Sequence, residues 1–336
     1  MLSALGIGLA LPLLAGCSNG EATIGGPEHS IVIGHEDQTA HFNHETYLRF
    51  KEQVEERSDG RIGVKVVPNE LFGDMTSLVT SVQLNSIQMT SPTAGVLGQF
   101  SKDQNVWDMP YLFDDVEHAH RVLDGEFGQE LLEGLEEVDL IGFGYWENGV
   151  RHLSTKGIEV DGPDDLDRVK LRVQPNPLQL TAWGATSANP TPMAYGEVYT
   201  GLQQGTIDAQ ENPLSVIVDA RFYEVQDRVT LTGHVYSAIP LVMSKTFYDS
   251  LPVDLQEIVT EAALDSIEFN RELAAEAEAE SASVIEEAGV EIDEISDEGR
   301  DEFRESMQGA ALPQLRDLVG DDVVDHLETA IEEERR

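Results

Sequence analysis

Residues 170–213 constrain the fold more than any other part of this chain. Their pattern predicts a strand, a helix, a turn, a second helix and a second strand, over residues 169–173, 178–184, 189–192, 194–204 and 206–210. Pro175 and Pro177 end the first strand, because proline has no N–H to donate to a β-ladder. Gly205 fits the C-terminal cap of the second helix. Alternating strands and helices are typical of an α/β fold.

Two polar side chains fall at the carboxyl ends of the predicted strands: Arg172 at the first and Asn212 at the second. Open α/β sheets bind ligands beyond these strand ends. An arginine can hold a carboxylate through two parallel hydrogen bonds, which lysine cannot do, and an asparagine offers both a donor and an acceptor. The pattern therefore indicates a site for a small anionic ligand, while a structural ion pair of Arg172 fits the spacing equally well.

The same stretch resembles the solute receptors of tripartite ATP-independent periplasmic (TRAP) transporters of the DctP type. The matching segments are KLRV at 170–173, NPTPM at 189–193, GEVY at 196–199, LQQG at 202–205 and DAQENP at 208–213. A looser likeness extends from about residue 31 to about residue 327. The resemblance implies that Arg172 binds the carboxylate of an organic acid, while Asn212 and Tyr195 fix its orientation.

The resemblance also implies an α/β fold of the type II periplasmic-binding-protein kind, with two α/β lobes around a ligand cleft. Lobe I would comprise residues 31–149 plus 238–277, and lobe II residues 150–237 plus 278–330. One amphipathic pattern over residues 252–287, rich in Ala, Glu and Leu, predicts a single helix about 50 Å long that spans both lobes. The implied mechanism is closure of the two lobes on a ligand.

A second arginine, Arg151, follows Gly149 in a strand predicted to begin at residue 139. On sequence alone, a surface arginine is the more natural interpretation. The resemblance implies instead that Arg151 is the second cation at the site. Two fixed guanidinium groups in so acidic a protein would create a local positive field that favours anionic ligands.

Three loops are expected to line the cleft by the same resemblance. The loop after the first strand supplies His35, Glu36 or Asp37, the loop after the third strand supplies Thr93, and the loop after residue 173 supplies Pro175. The loop sequences do not indicate which organic acid they select.

The histidines His35, His41 and His44 raise a metal site as an alternative, because two of them stand three residues apart. No recognised zinc spacing completes the set, so we predict no metal and no other cofactor. The sequence also lacks a nucleophile elbow, an HExxH motif and a clear carboxylate pair. We therefore expect a binding protein rather than an enzyme, and a metal-dependent hydrolase is the less favoured alternative.

Residues 1–17 are expected to be a lipoprotein signal segment. Residues 2–14 form an apolar run too short to span a bilayer. The LAGC sequence at 14–17 resembles a lipoprotein cleavage box, in which Cys17 would take a lipid, and residues 18–30 would form a tether. A chance buried cysteine is the alternative. Because no Lys or Arg precedes the apolar run, we expect the true start to lie upstream.

The chain has 63 acidic and 21 basic residues, a formal net charge of −42. The acids are spread over nearly every predicted helix rather than gathered in one tail. Such a surface repels itself unless salt screens it, so we hypothesise that the protein works in high salt, as halophile proteins do. The same charge excludes nucleic acid as a partner, because phosphate binding needs a basic surface.

The resemblance implies an extracytoplasmic receptor, anchored to the outer face of the cell membrane by a lipidated Cys17. The receptor would capture an organic acid by cleft closure and deliver it to the membrane subunits of a TRAP permease. A ligand-binding module that feeds a sensor kinase is an alternative that the sequence leaves open.

Overall fold

A computed structural model describes residues 26–335 of the chain. The strands are β1 His29–Gly34, β2 Ile62–Val67, β3 Met89–Thr90, β4 Leu140–Thr155, β5 Lys170–Val173, β6 Asn189–Pro192, β7 Ala209–Asn212, β8 Arg228–Ser244 and β9 Glu291–Glu294. The α-helices are α1 Phe42–Arg57, α2 Met75–Gln83, α3 Ala94–Leu97, α4 Val116–Asp124, α5 Glu126–Glu133, α6 Pro177–Gly184, α7 Val198–Gln204, α8 Leu214–Asp219, α9 Lys245–Ser250, α10 Val253–Glu287, α11 Asp297–Val319 and α12 Asp321–Glu334. Short 3-10 helices span Lys102–Asp108, Gly134–Val138, Pro163–Leu166, Tyr195–Glu197 and Phe222–Glu224.

The first strand begins inside the segment that the sequence assigns to a tether. His29 and Ser30 pair with Ile62 and Gly63 of β2, so β1 starts at His29. The predicted end of the tether at residue 30 is therefore wrong by two residues. The predicted signal segment, Cys17 and residues 18–25 of the tether lie outside the described residues.

The described strands form one sheet in the order β2-β1-β3-β8-β4-β7-β5-β6, and β9 adds to β8. Its centre is the long antiparallel pair of β4 and β8. At one end of this pair β3 joins β8 through Met89 and Met243, and at the other end β7 joins β4 through Asn212 and His152. Two groups of strands therefore lie at opposite ends of the pair, as the two-lobed α/β prediction requires. The lobe boundaries themselves stay a prediction.

Helix α10 contributes to the cores at both ends of the sheet. Leu255 and Val259, in its first turns, are fully buried in one cluster with Ile31 of β1 and Phe50 of α1. Ile285, near its other end, is buried in a second cluster around α7 and α8. At ~1.5 Å per residue, its 35 residues span about 50 Å. The prediction of one long helix that reaches both lobes is confirmed.

The stretch around residues 170–213 departs from the prediction at its turn. Residues 189–192 form strand β6, which runs parallel to β5 with Leu171 opposite Pro190. Because β6 is the last strand in the sheet order, the N–H groups that its two prolines lack are not needed by a further strand. The second strand begins later than predicted, so Asn212 is the last residue of β7. Gly205 caps α7 with a φ of 69°, as expected.

Candidate functional site

A pocket lies between the two groups of strands, beyond the carboxyl ends of β1, β3, β5 and β7. It encloses about 640 Å³, including the part open to solvent. One wall, the β1–β3 wall, consists of Glu36, Asp37, Asn43, Asp74, Met75, Thr76, Ser91, Thr93 and Val96. The facing wall, the β5–β7 wall, consists of Arg172, Gln174, Pro175, Ala194, Tyr195, Asn212 and Val216. Asn148 of β4 and Ile239 of β8 complete the lining.

Arg172 is a buried cation without an anionic partner among the described residues. Its side chain stands near the carboxyl end of β5 and the residue is 2% exposed. Its Nε donates to the backbone oxygen of Met193 at 3.0 Å, and no carboxylate oxygen of residues 26–335 lies within 4.0 Å of the guanidinium. Burial lowers the pKa of Arg172 to about 10, so the group stays charged at neutral pH. A structural ion pair therefore does not account for Arg172, and a buried unpaired charge is costly unless an anion joins it.

Arg151 does not line the pocket; it lies behind Asn212. Its guanidinium donates to the carboxylate of Glu211, with 2.9 Å between Nη2 and Oε1, and the same Nη2 donates to Oδ1 of Asn212 at 2.9 Å. His234 contacts the other oxygen of Glu211 at 3.0 Å. The expectation of a second cation facing the ligand is thus corrected, because Glu211 neutralises Arg151. The arrangement makes Arg151 a positioning residue for Asn212.

The charge state of Glu211 follows from these contacts. Burial alone would raise its pKa, but the guanidinium of Arg151 and the hydrogen bond with His234 bring it down to about 2. Glu211 is therefore an ionised carboxylate with no exposed surface. The pair of Arg151 and Glu211 adds no net charge to the site, and its hydrogen bonds hold the amide of Asn212 at the end of β7.

Five other residues singled out in the sequence lie in the pocket lining: Glu36, Asp37, Thr93, Pro175 and Tyr195. Tyr195 packs edge-on against Phe222, and its pKa is raised well above its ordinary range by burial, so its hydroxyl keeps its proton. Thr93 donates from Oγ1 to Oε1 of Gln174 at 2.9 Å. Pro175 borders the same opening. The structure thus brings Asn212, Arg172 and these five residues together around one pocket.

The β1–β3 wall carries carboxyl groups in different charge states. Burial, together with the neighbouring charges of Asp37 and Glu70, raises the pKa of Glu36 to about 8. For Asp37, burial is outweighed by His41, His35 and Asn43, which lower its pKa to about 2. At neutral pH, Glu36 therefore carries a proton and can donate a hydrogen bond, whereas Asp37 is ionised and accepts.

His35 lies behind Asp37 and does not line the pocket. Its Nε2 is 3.0 Å from Nδ1 of His44, its Nδ1 is 3.5 Å from Oδ2 of Asp37, and its ring stacks on Tyr47. The expected direct contact of His35 with ligand is corrected for this reason. Within residues 26–335, no three His, Cys, Asp or Glu side chains are grouped so that they could hold a metal ion.

Several hydrogen bonds join the two sides of the cleft beside the lining residues, so the structure describes a closed cleft. Gln38 donates from Nε2 to the backbone oxygen of Asp219 at 2.9 Å. The backbone N–H of Gly196 donates to Oε1 of Glu70 at 3.0 Å. A Cβ added at Gly196 would lie 2.2 Å from Oε2 of Glu70, so only glycine allows this approach without a shift of the carboxylate.

Sequence reasoning missed several residues that build or support the site, among them Asp74, Asn148, Gln174 and Glu211. Asp74 caps α2, where its Oδ1 accepts from the N–H of Ser77. Asn148 precedes Gly149, which has a φ of 117° at an irregularity in the pairing of β4 with β8. A glycine inside a predicted strand is the one signal that could have indicated this bulge.

A closed α/β cleft with an unpaired buried arginine defines a solute-binding protein, and comparison with known proteins agrees. A model described as "Bacterial extracellular solute-binding protein, family 7" matches residues 33–313. The chain is 34% identical over 294 residues to the 2,3-diketo-L-gulonate-binding periplasmic protein of Escherichia coli (strain K12), covering 88% of each. It therefore belongs to family 7 of the bacterial extracellular solute-binding proteins, which confirms the resemblance found in its sequence.

Solved structures of related proteins share the fold. The sugar acid binding protein of Advenella mimigardefordensis strain DPN7T, in complex with galactonate, is 32% identical with a TM-score of 0.88, over 92% of this chain and 99% of that one. A TRAP periplasmic solute binding protein of Sulfurospirillum deleyianum DSM 6946, with bound succinate, is 26% identical with a TM-score of 0.85, over 90% and 99%. In residues 26–335, no helix has the length and apolar character needed to cross a membrane.

Proposed function

We propose that this protein captures an organic acid in the closed cleft and that Arg172 binds the ligand carboxylate. The observation that carries the proposal is a charged guanidinium, 2% exposed, that lines the pocket and has no carboxylate of the described residues within 4.0 Å. Its Nη1 and Nη2 make no hydrogen bond to residues 26–335 and form the fork that a carboxylate fits. The galactonate- and succinate-bound relatives support an organic acid as the ligand.

The other pocket residues would orient the ligand. Asn212, Tyr195, Glu36 and Thr93 offer hydrogen bonds, and Pro175 would supply an apolar contact. Arg151 and His35 act one step away, through Asn212 and Asp37 respectively. Binding and release need no chemical step and no cofactor in this mechanism.

The cleft would open and close by movement of two lobes, residues 31–149 plus 238–277 against residues 150–237 plus 278–330. Strands β4 and β8 and helix α10 are the elements that connect the two groups of strands, so bending within them would change the distance between the walls. The closed form would dock on the membrane subunits of a TRAP permease. The TRAP relatives support this partner.

The place of action would be the outer face of the cell membrane. Residues 1–17 would direct export, Cys17 would carry the lipid, and the residues up to β1 would act as a tether. Mass spectrometry of membrane-extracted protein should find a lipid on Cys17, and an unmodified N-terminal segment would refute the anchor.

The test of the proposed function is a thermal-shift screen followed by titration calorimetry with a panel of carboxylates and neutral sugars, in about 3 M KCl. We expect a hit among the acids, because a ligand that binds only the folded state raises the melting temperature. Arg172→Ala should weaken that binding by about a hundredfold or more, because it leaves a carboxylate unpaired in a closed cleft. Arg172→Lys should also weaken it, since the two parallel hydrogen bonds are lost.

Arg304→Ala is the matched control, because Arg304 is a half-exposed arginine outside the pocket lining. Its affinity should equal that of the unmodified protein. Unchanged affinity in Arg172→Ala, or shifts caused only by neutral sugars, would refute the role of Arg172.

A further inference from the structure

The charges of the pocket lining are unevenly divided between its two walls. Arg172 is the only cation among the described lining residues, and it stands on the β5–β7 wall. The three carboxyl groups of the lining, Glu36, Asp37 and Asp74, all stand on the β1–β3 wall. A ligand that spans the cleft therefore meets a cation at one wall and carboxyl groups at the other.

The β1–β3 wall places carboxylate groups against the pocket. Asp37 is ionised, and the imidazole groups of His35 and His41 lie 3.5 Å and 4.0 Å from its oxygens. Asp74 uses Oδ1 to accept from the N–H of Ser77 at the start of α2, which leaves Oδ2 with no hydrogen bond to residues 26–335. Both carboxylates can accept from hydroxyl groups, and both repel a second carboxylate.

The rest of the lining supplies neutral hydrogen-bonding groups rather than a second cation. Asn43, Asn148, Gln174 and Ser91 bring amides and a hydroxyl to the pocket. Thr93 donates to the Oε1 of Gln174, whereas the Nε2 of Gln174 makes no hydrogen bond to the described residues. Glu36, protonated at neutral pH, adds a further donor. These groups match hydroxyls along a carbon chain better than they match a second negative charge.

We propose that the pocket selects polyhydroxylated monocarboxylates, acids of the aldonate type, over dicarboxylates. The single carboxylate binds Arg172, and hydroxyls at the far end of the ligand donate to Asp37 and Asp74. This inference rests on the proposed function. Family membership does not decide the choice, because relatives of this chain are seen with galactonate and with succinate.

The test compares ligands that differ only in the far end. Galactonate and galactarate share one hydroxylated chain, and galactarate replaces the terminal CH₂OH by a carboxylate. Gluconate with glucarate and erythronate with meso-tartrate are further pairs of this kind. Titration calorimetry at neutral pH should find the monoacid bound at least about tenfold more tightly than the diacid. This holds for every pair in which at least one member binds.

A variant tests whether the β1–β3 wall causes the preference. Asp74→Asn removes one charge and keeps an oxygen that can cap α2. We expect the ratio of monoacid to diacid affinity to fall by about threefold or more. Asp115→Asn is the matched control, because Asp115 caps α4 through His118 in the same way and does not line this pocket. It should leave the ratio unchanged.

The outcomes separate the two levels of the proposal. A diacid that binds as tightly as its monoacid refutes the selectivity while Arg172-dependent binding of acids stands. An unchanged ratio in Asp74→Asn refutes the role of the acidic wall. A panel in which no acid of any pair binds refutes the inference, while the wider carboxylate screen decides the proposed function separately.

Discussion

Replacing Arg151 by methionine should leave Glu211 as an uncompensated charge in the protein interior. The two side chains are 1% and 0% exposed, so water cannot take the place of the lost partner. The fall in the pKa of Glu211 from its ordinary 4.5 to about 2 corresponds to about 3 kcal/mol, at ~1.36 kcal/mol per pKa unit. Removing one partner of a buried pair costs ~3–5 kcal/mol. We therefore expect Arg151→Met to lower the free energy of unfolding by about 3 kcal/mol at neutral pH.

The sign of the pH dependence follows from the direction of that change. Folding lowers the pKa of Glu211, so its contribution to stability is present above pH 4.5 and is lost as the pH falls through about 2. The difference in stability between the unmodified protein and Arg151→Met should therefore shrink in acid. Denaturant titrations at neutral pH and in acid, in the same salt, measure both values.

A double variant gives the sharper control. Arg151→Met with Glu211→Leu removes both charges, and a buried pair replaced by apolar side chains is often close to neutral in stability. We expect the double variant to recover at least half of the loss. A single variant that loses less than about 1 kcal/mol, or a double variant that loses more than the single one, would refute the pairing as described.

Ligand affinity separates the positioning role of Arg151 from direct contact. Arg151→Met should weaken binding less than Arg172→Ala does, because it acts only through the amide of Asn212. An equal loss of affinity in the two variants would mean that Arg151 contacts the ligand after all.

Three further outcomes follow. Gly196→Ala should weaken ligand binding by about tenfold, because the added Cβ displaces the Glu70 carboxylate that accepts from Gly196 across the cleft. X-ray scattering that finds the same ligand-induced closure, together with an unchanged affinity in calorimetry, would contradict this. The pKa of Glu36 is about 8, and a bound anion raises it, so ligand affinity should fall above pH 8 by up to about tenfold per pH unit. In Glu36→Gln the affinity should not change with pH over this range. A pH-independent affinity in both proteins would refute the role of Glu36. Because the net charge is −42, the melting temperature should rise between about 0.1 M and 3 M KCl. A melting temperature that stays constant or falls over this range would refute the high-salt hypothesis.

Local pattern was enough to predict the frame of the site. Arg172 and Asn212 follow from strand ends that are readable in sequence, because Pro175 comes shortly after β5 and Pro213 directly after β7. Helix α10 follows from a long run of strong helix formers. These features depend on residues close in sequence, so periodicity and breakers can specify them.

Features that depend on distant residues could not be predicted. Arg151 and Glu211 are 60 residues apart and meet only because β4 pairs with β7. Spacing therefore gave no sign that the charge of Arg151 is neutralised inside the protein. The turn predicted at 189–192 failed for a related reason, because only the sheet order shows that β6 is an edge strand.

The charge state of Glu36 is the clearest case of a property set by tertiary structure. Its sequence neighbour Asp37 contributes a charge that raises the pKa of Glu36, but this charge is not the largest cause. Burial and the approach of Glu70 from the loop after β2 raise it. The proposed selectivity for monocarboxylates also depends on tertiary structure. Asp74 belongs to the pocket lining only because α2 begins beside the end of β1.

The most direct measurement is a crystal structure of the protein with its tightest-binding acid, read at the guanidinium of Arg172. The account predicts both Nη1 and Nη2 within about 2.7–2.9 Å of the two oxygens of one ligand carboxylate. It also predicts that Arg151 stays paired with Glu211. A ligand carboxylate bound elsewhere in the cleft, with Arg172 facing a neutral group or a protein carboxylate, would contradict the central claim.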